Sequence, residues 1–189
     1  MRLFLLCSAL GAAFVAAPSF GQGDLRACFQ CHGEQGTSTR PRTPSLGAQQ
    51  AFYVTAQLLL FREGRRENRD MTPVASGLTD EQLQALGEAV AKLPAPAAPK
   101  KGRNAARYAR GKVIAERERC GSCPNPDFSG GENVPRIANQ REDYLRKALA
   151  DYKKGARAGF GNAVMPETLA GLKAGELADL AHFLAHLER

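Results

Sequence analysis

Cys28-Phe29-Gln30-Cys31-His32 is the stretch of this sequence that decides the fold and most of the chemistry. Two cysteines separated by two residues lie about one helical turn apart, so their thiols can reach the two vinyl groups on one edge of a porphyrin. Cysteines at this spacing, followed directly by histidine, are typical of covalent haem attachment. The stretch therefore predicts a haem bonded to Cys28 and Cys31, with His32 as the proximal iron ligand.

The sixth ligand of such an iron has to come from elsewhere in the chain. Methionine is the usual choice in electron carriers, because Met/His ligation raises the reduction potential. Met71 follows His32 after enough residues for a helix and a loop, just before a predicted helix. A lone methionine more often packs in a core, but Met165 occupies the corresponding place after a second cysteine pair. Met71 is therefore the predicted second axial ligand.

The second pair, Cys120-Gly121-Ser122-Cys123, repeats the spacing, but Pro124 stands where the histidine would be. Proline has no side-chain nitrogen that could bind iron. A second haem, a disulfide and free thiols therefore all remain possible for Cys120 and Cys123. For Cys28 and Cys31 the alternative to haem attachment is a zinc knuckle or a disulfide. One zinc ion shared by all four cysteines is a further alternative, but it leaves His32 and both methionines unexplained.

Residues 1–21 predict a secretory signal peptide, in which Arg2 precedes the apolar run from Leu3 to Ala17 and small residues follow. That run is too short for a comfortable membrane span. We therefore expect a periplasmic protein that is not integral to the membrane, with peripheral association left open. Cys7 belongs to this leader, so the two pairs use every cysteine of the mature chain.

The formal net charge is +7, with the excess spread along the chain rather than run together. Nucleic acid is not an expected partner for an exported protein. A positive surface can steer the encounter with an acidic redox partner, although a merely solvated surface would have the same composition.

Residues 22–93 and 103–189 repeat each other, which predicts two homologous domains. Between them, residues 94–102 are rich in proline and alanine and predict an extended linker. Domains this small are near the lower limit for a stable core, and a covalent haem would fill one. When Cys28 is aligned with Cys120, the equivalent pairs include Pro44 and Pro135, Gln49 and Gln140, Tyr53 and Tyr144, Met71 and Met165, and Leu83 and Leu177.

Each half predicts an all-α domain, since no alternating strand pattern of useful length occurs. Thr79 and Gln82 form a predicted capping box for a helix with Leu83, Leu86 and Val90 on one face. The other predicted helices span residues 49–61, 103–119, 140–153 and 176–188.

His182 and His186 are four residues apart on the last of these helices and could share a metal ion. Their leucine-rich helix face favours packing instead, because no acidic residue nearby in the sequence completes a zinc motif. The equivalent positions of the first half are Glu88 and Lys92, which we expect to be ordinary surface residues.

The chain resembles the class I cytochromes c, and more closely the tandem dihaem cytochromes of the cytochrome c4 type. The resemblance covers the whole mature chain and is carried by residues 28–33, 44–49 and 130–140, with Met71 and with Met165-Pro166. It implies two tandem class I cytochrome c domains with one haem c each, and electron transfer in the periplasm from a quinol-oxidising complex to a terminal oxidase. By position, Cys120, Cys123 and Met165 would serve the second haem, which Pro124 puts in question.

Three function classes follow. The first, which we favour, is an electron carrier rather than an enzyme. The alternative is a cytochrome subunit of a larger periplasmic oxidoreductase, in which the second domain has become a docking module. A dihaem peroxidase is disfavoured, because Met71 would close the iron site. A thiol oxidoreductase built on Cys120 to Pro124 is disfavoured as well, because no strand precedes that motif.

Overall fold

The computed structural model describes residues 23–157 and 163–188, so the predicted signal peptide lies outside the described residues. Within these ranges the chain forms helices and no strand, with one isolated bridge between Gly131 and Val134. The predicted all-α class is confirmed. The helices are α1 (Arg26–His32), α2 (Ala51–Arg62), α3 (Met71–Ala75), α4 (Asp80–Ala91), α5 (Ala105–Arg117), α6 (Glu142–Lys153), α7 (Met165–Leu169) and α8 (Ala174–Ala185), with a 3-10 turn at Glu34–Gly36.

The long helices begin and end within a few residues of their predicted bounds. Helix α4 starts at the predicted capping box, where the Thr79 hydroxyl accepts from the Gln82 amide and the Gln82 side chain accepts from the Thr79 amide. Helix α8 ends three residues before the predicted bound, because His186 leaves the helical conformation at φ −124°. The short helices α3 and α7, which open at the two methionines, were not predicted, since five residues carry too little periodicity.

Two hydrophobic cores divide the helices into domain 1 (α1 to α4) and domain 2 (α5 to α8). The first core has Phe61, Leu83, Leu86 and Val90 at its centre. The second joins α5, α6 and α8. Helices α5 and α8 approach closely at Gly111, where a Cβ atom would lie 2.2 Å from the Asp179 carbonyl oxygen. Glycine is therefore needed at that crossing.

The two domains meet through hydrogen bonds that repeat with the sequence. The Gln49 side chain accepts from the Arg136 amide at 2.7 Å and donates to the Arg136 carbonyl at 3.1 Å. The equivalent Gln140 accepts from the Ser45 amide and donates to the Ser45 carbonyl, both at 2.8 Å. Both glutamines are buried. Equivalent residues thus make equivalent contacts in opposite directions, as in an isologous dimer interface.

Candidate functional site

His32 ends helix α1 and points into domain 1, where the residue is 7% exposed. Its Nδ1 lies 2.8 Å from the carbonyl oxygen of Pro44, which can only accept, so Nδ1 carries the proton. Burial lowers the pKa of His32, which favours the neutral imidazole. The Nε2 atom of a neutral ring held in this way has a lone pair ready for a metal, with its orientation set by the second hydrogen bond.

Cys28 and Cys31 both lie on α1, one turn apart, and both residues are half-buried with free thiols. Burial raises the pKa of Cys28. The Cys31 sulfur lies 2.8 Å from the Arg40 guanidinium. Because neither thiol is engaged in a disulfide, both remain available for thioether bonds.

Met71 opens helix α3, and its amide donates to the Asn68 side chain at 2.9 Å. The Met71 side chain packs against the same core of domain 1 as Cys28. Arg40, which contacts the Cys31 sulfur, also lies 3.5 Å from the Asp70 carboxylate. Arg40 therefore links helix α1, which carries the cysteines, to Asp70, the residue before Met71. Sequence reasoning missed this residue, since nothing in its local pattern marks it.

The donors of domain 1 fit a covalent haem. Two free thiols are spaced one turn apart, a neutral imidazole is buried and oriented by Pro44, and a thioether borders the same core. Cysteine thiols form the covalent bonds to haem c, and imidazole with methionine thioether are the axial ligands of its iron in cytochromes c.

The corresponding site of domain 2 differs in more than Pro124. Cys120 and Cys123 follow helix α5 in a run of turns, Cys120 is half-buried and Cys123 is exposed. Burial raises the pKa of Cys120 to about 11, which disfavours the thiolate. The Pro124 carbonyl accepts from the Gly130 amide at 2.8 Å, so this segment makes its own turn. Domain 2 therefore offers the thiols but no proximal nitrogen, and its residues do not fit a haem ligated by histidine and methionine.

Phe128 fills part of the space next to this turn. It stands where domain 1 has Gly36, and its ring meets the Phe183 ring edge to face at 5.8 Å. Met165 opens helix α7, and both Met165 and Cys120 pack against the domain 2 core. The apolar framework is thus kept while the ligand turn is rebuilt.

His182 and His186 were predicted to pack rather than to bind metal, and both residues are buried and hydrogen-bonded. His182 accepts from the Asn104 amide through Nε2 at 2.9 Å and so donates through Nδ1 to Glu142 at 2.8 Å. His186 donates through Nδ1 to the His182 carbonyl at 2.9 Å. Among the described residues, Glu142 and these two histidines form the one convergent set of metal-type ligands.

Glu142 and Asp179 make domain 2 sensitive to acid. The pKa of Glu142 is lowered overall. Burial acts to raise this pKa, but the hydrogen bonds from His182 and Arg107 have the larger combined effect. A hydrogen bond from Arg110 lowers the pKa of Asp179. A carboxyl whose pKa is depressed by folding stabilises the fold above its unfolded pKa, and this contribution is lost as pH falls through the folded pKa.

We therefore expect the thermal midpoint of domain 2 to fall as pH drops below about 4. In Glu142→Gln the midpoint at neutral pH should be lower and the loss in acid smaller. Thermal unfolding followed by circular dichroism at a series of pH values measures both. An unchanged acid dependence in Glu142→Gln would show that this carboxyl is not involved.

No helix in the described ranges is both long and apolar enough to cross a membrane.

Comparisons with known proteins identify the family of this chain. The family model for cytochrome c matches residues 108–188. The chain is 32% identical to cytochrome c4 of Thiocapsa roseopersicina, over 92% of this chain and 97% of the relative. It is 31% identical to a thiosulfate dehydrogenase electron acceptor of Stutzerimonas stutzeri, over 85% of this chain and 79% of that protein.

A solved structure has a similar fold. Cytochrome c4 of Acidithiobacillus ferrooxidans superimposes with a TM-score of 0.77 at 26% identity, covering 87% of this chain and 100% of that chain. The family model falls on the domain that lacks the histidine, so the framework of domain 2 is retained although its ligand is not. The chain belongs to the cytochrome c4 family, and it is an electron-transferring c-type cytochrome of a family that binds haem c covalently.

Proposed function

We propose that this protein is a periplasmic electron carrier whose working site lies in domain 1. Cys28 and Cys31 hold the haem, and His32 and Met71 are its axial ligands. When bound, haem c supplies a centre that takes up and releases one electron. The chain orients the ligands and shields them from water, with residues 1–21 as the export signal and residues 94–102 as the linker between domains of residues 22–93 and 103–189.

The observation that carries this proposal is the hydrogen bond from His32 to Pro44. A buried imidazole with its proton on Nδ1 keeps a lone pair on Nε2 that can bind iron. The two thiols lie on α1, the same short helix as His32. Fixing the second nitrogen of a ligating histidine is a general feature of metal sites. A histidine that served packing alone would not need to share a helix with two free cysteines.

For domain 2 we propose that Cys120, Cys123 and Met165 do not hold a haem with two axial ligands from the protein. The support is the proline at the ligand position, the exposed Cys123 and the turn around Pro124. The chain would then carry one haem that transfers electrons. Peroxidase chemistry is not expected, because Met71 would close the coordination sphere of that iron.

As partners we propose a quinol-oxidising complex as electron donor and a terminal oxidase as acceptor. Such a carrier needs only brief encounters, to which peripheral association with the membrane surface could contribute. The positive net charge would favour partners with acidic docking faces.

Counting covalent haem per chain tests the proposal. We expect one haem in the full chain matured with a haem-attachment system, measured by intact mass and by the alkaline pyridine spectrum. Cys28→Ala with Cys31→Ala should remove it, while Cys120→Ala with Cys123→Ala should leave it in place. The second double variant is the matched control, because it removes the same two groups at the equivalent positions. Two haems in the unaltered chain would contradict the proposal for domain 2.

A second candidate function is that of dedicated acceptor for a larger periplasmic oxidoreductase, with domain 2 as the docking module. The similarity to a thiosulfate dehydrogenase electron acceptor favours it. We expect in that case a stable complex with a thiosulfate-oxidising enzyme and reduction of the haem when thiosulfate is added. Size-exclusion chromatography with stopped-flow absorption measures both, and reduction by quinol-oxidising membranes alone would favour the general carrier.

A further inference from the structure

Cys120 and Cys123 are two cysteines that the proposed function leaves without a role. Both carry free thiols. Pro124 follows them in place of a histidine, so the ligand that accompanies haem attachment in domain 1 is missing here. The chemical reactivity of a cysteine usually decides its function more than its packing does. The reactivity of this pair follows from its surroundings.

The pair lies in a turn rather than in a helix. Helix α5 ends at Arg117, and beyond it the Ser122 amide donates to the Arg119 carbonyl at 3.0 Å. The chain bends again at Ser122 and at Cys123. A chain that curves in this way brings residues three positions apart close to the Cα separation that a disulfide needs, about 4.4–6.8 Å.

The two sulfur atoms are close enough to influence each other. Burial is the main cause of the raised pKa of Cys120, and negative charge on Glu118 and on Cys123 raises it further. Charges shift a pKa in this way mainly over a distance of about 4–6 Å. The Cys123 sulfur therefore lies near that of Cys120.

The two thiols differ in their exposure. Cys123 is exposed, and its sulfur contacts the Ser122 hydroxyl at 3.9 Å. Cys120 is half-buried and packs against the core of domain 2. An external reagent can reach Cys123 first, while Cys120 is placed to react with whatever has become attached to its neighbour. Redox-active cysteine pairs have this arrangement of one accessible thiol and one resolving thiol.

The turn after the pair has an unfavourable backbone conformation. Asn125 and Phe128 have φ values of 71° and 57°, in the left-handed region. Phe128 keeps the conformation of Gly36 in domain 1, since the Phe128 amide donates to the Asn125 carbonyl as the Gly36 amide donates to the Gly33 carbonyl. A bulky residue stays in this region only where its surroundings hold it there. In domain 1 two thioether bonds would fix the preceding residues, and domain 2 needs another constraint at the same place.

The proposed location of the protein favours oxidation of such a pair. Disulfides form and persist in the periplasm, where thiol–disulfide exchange proteins oxidise exported cysteines. A cysteine pair without a ligating histidine is exposed to that environment with both thiols available.

We propose that Cys120 and Cys123 form a disulfide bond in the exported protein. The proposal rests on the proposed function, because it needs the periplasmic location and a domain 2 without haem. The bond takes the place of haem as the covalent closure of the turn, and it withdraws both thiols from haem attachment. Both cysteines would be kept for this bond although Pro124 has replaced the iron ligand.

The oxidant is a protein disulfide of the periplasm. The Cys123 thiol loses its proton, and its sulfur attacks one sulfur of that disulfide, which forms a mixed disulfide and releases the other sulfur as a thiolate. The Cys120 thiol then loses its proton, and its sulfur attacks the Cys123 sulfur and releases the second thiolate. The two protons end on the two released thiolates. Two cysteines thus lose two electrons, and the oxidant is reduced to two thiols.

Counting thiols in the full, haem-loaded chain tests the bond. The protein isolated from the periplasm is unfolded in the presence of iodoacetamide, either directly or after reduction with dithiothreitol, and is then digested with trypsin. Cleavage after Arg119 and Arg136 leaves both cysteines in one peptide, 120–136. We expect this peptide to carry no alkyl group without reduction and two after it. Two alkyl groups without reduction, or a disulfide from this peptide to any other peptide, would overturn the proposal.

Thermal unfolding tests whether the bond closes the turn. We expect dithiothreitol to lower the thermal midpoint of domain 2 by several degrees, since the loop that the bond closes is short. Cys120→Ser with Cys123→Ser should have the lower midpoint from the start and should not respond to dithiothreitol. Ser122→Ala is the matched control, because it removes the hydroxyl that donates to the Arg119 carbonyl in the same turn but leaves both thiols. Its midpoint should respond as in the unaltered chain. An unaltered chain without this response would overturn the role of the bond.

The same digest distinguishes failure of this inference from failure of the proposed function. Covalent haem on peptide 120–136 would overturn both the disulfide and the proposal that domain 2 holds no ligated haem. A chain with the disulfide but without haem on Cys28 and Cys31 would fail as an electron carrier, while the disulfide itself would be confirmed.

Discussion

His32→Ala is expected to abolish normal electron carriage by this protein. The substitution removes the one buried imidazole of domain 1 that has Nδ1 bonded to a backbone carbonyl and Nε2 available to iron. Met71 would be left as the single axial ligand. Axial ligands set haem potentials over a range of roughly 0.8 V, so we expect a shift that is a substantial part of that range. Absorption spectra of both oxidation states and potentiometric titration measure the loss.

Pro124→Ala is the matched control for His32→Ala, because the repeat places it at the equivalent position of domain 2. We expect its spectrum and potential to equal those of the unaltered chain, since proline offers iron no ligand. A change as large as that of His32→Ala would mean that the turn at Pro124 contributes to a working haem. That result would contradict the assignment of electron transfer to domain 1.

Gly111→Ala is expected to give a large loss of stability in domain 2. A Cβ atom at Gly111 would lie 2.2 Å from the Asp179 carbonyl oxygen and 2.6 Å from the Cβ of Phe183, so helices α5 and α8 would have to move apart. Overpacking of this kind costs about 1–3 kcal/mol. Helix propensity opposes it by at most about 1 kcal/mol. Urea denaturation followed by circular dichroism measures the net effect.

Gly175→Ala is its matched control in helix α8, where nothing lies within 4 Å of the added Cβ. With propensity acting alone, we expect a gain of up to about 1 kcal/mol. The two substitutions should therefore change stability with opposite signs. Equal changes at both positions would show that α5 and α8 do not cross as closely as described.

The repeat explains how much of the fold could be predicted. Thr79 and Gln82 are three residues apart, and the leucines of α4 and α8 recur at helical spacing, so these helices follow from local pattern. Helices α3 and α7 escaped prediction because five residues give no period. Their starts at Met71 and Met165 depend on packing against the two cores.

Domain 2 shows what a motif cannot predict about its own surroundings. Pro124 marked the absence of a ligand, but the sequence left open whether a haem, a disulfide or free thiols follow from it. The structure adds the exposed Cys123, the turn closed by Gly130 and the ring of Phe128 where domain 1 has Gly36. Each depends on which segments come together in space.

The sequence by itself determined the ligand types, the helical class and the doubling of the chain, because these depend on residues close to one another or on equal spacing in the two halves. Only the tertiary structure decided that Pro44 orients His32, that Gln49 and Gln140 bind the opposite domain, and that Arg157 reaches Tyr53. The contacts of Gln49, Gln140 and Arg157 join residues that are far apart in the chain. Side-chain hydrogen bonds have short reach and strict direction, so such partners are specified by packing rather than by sequence spacing.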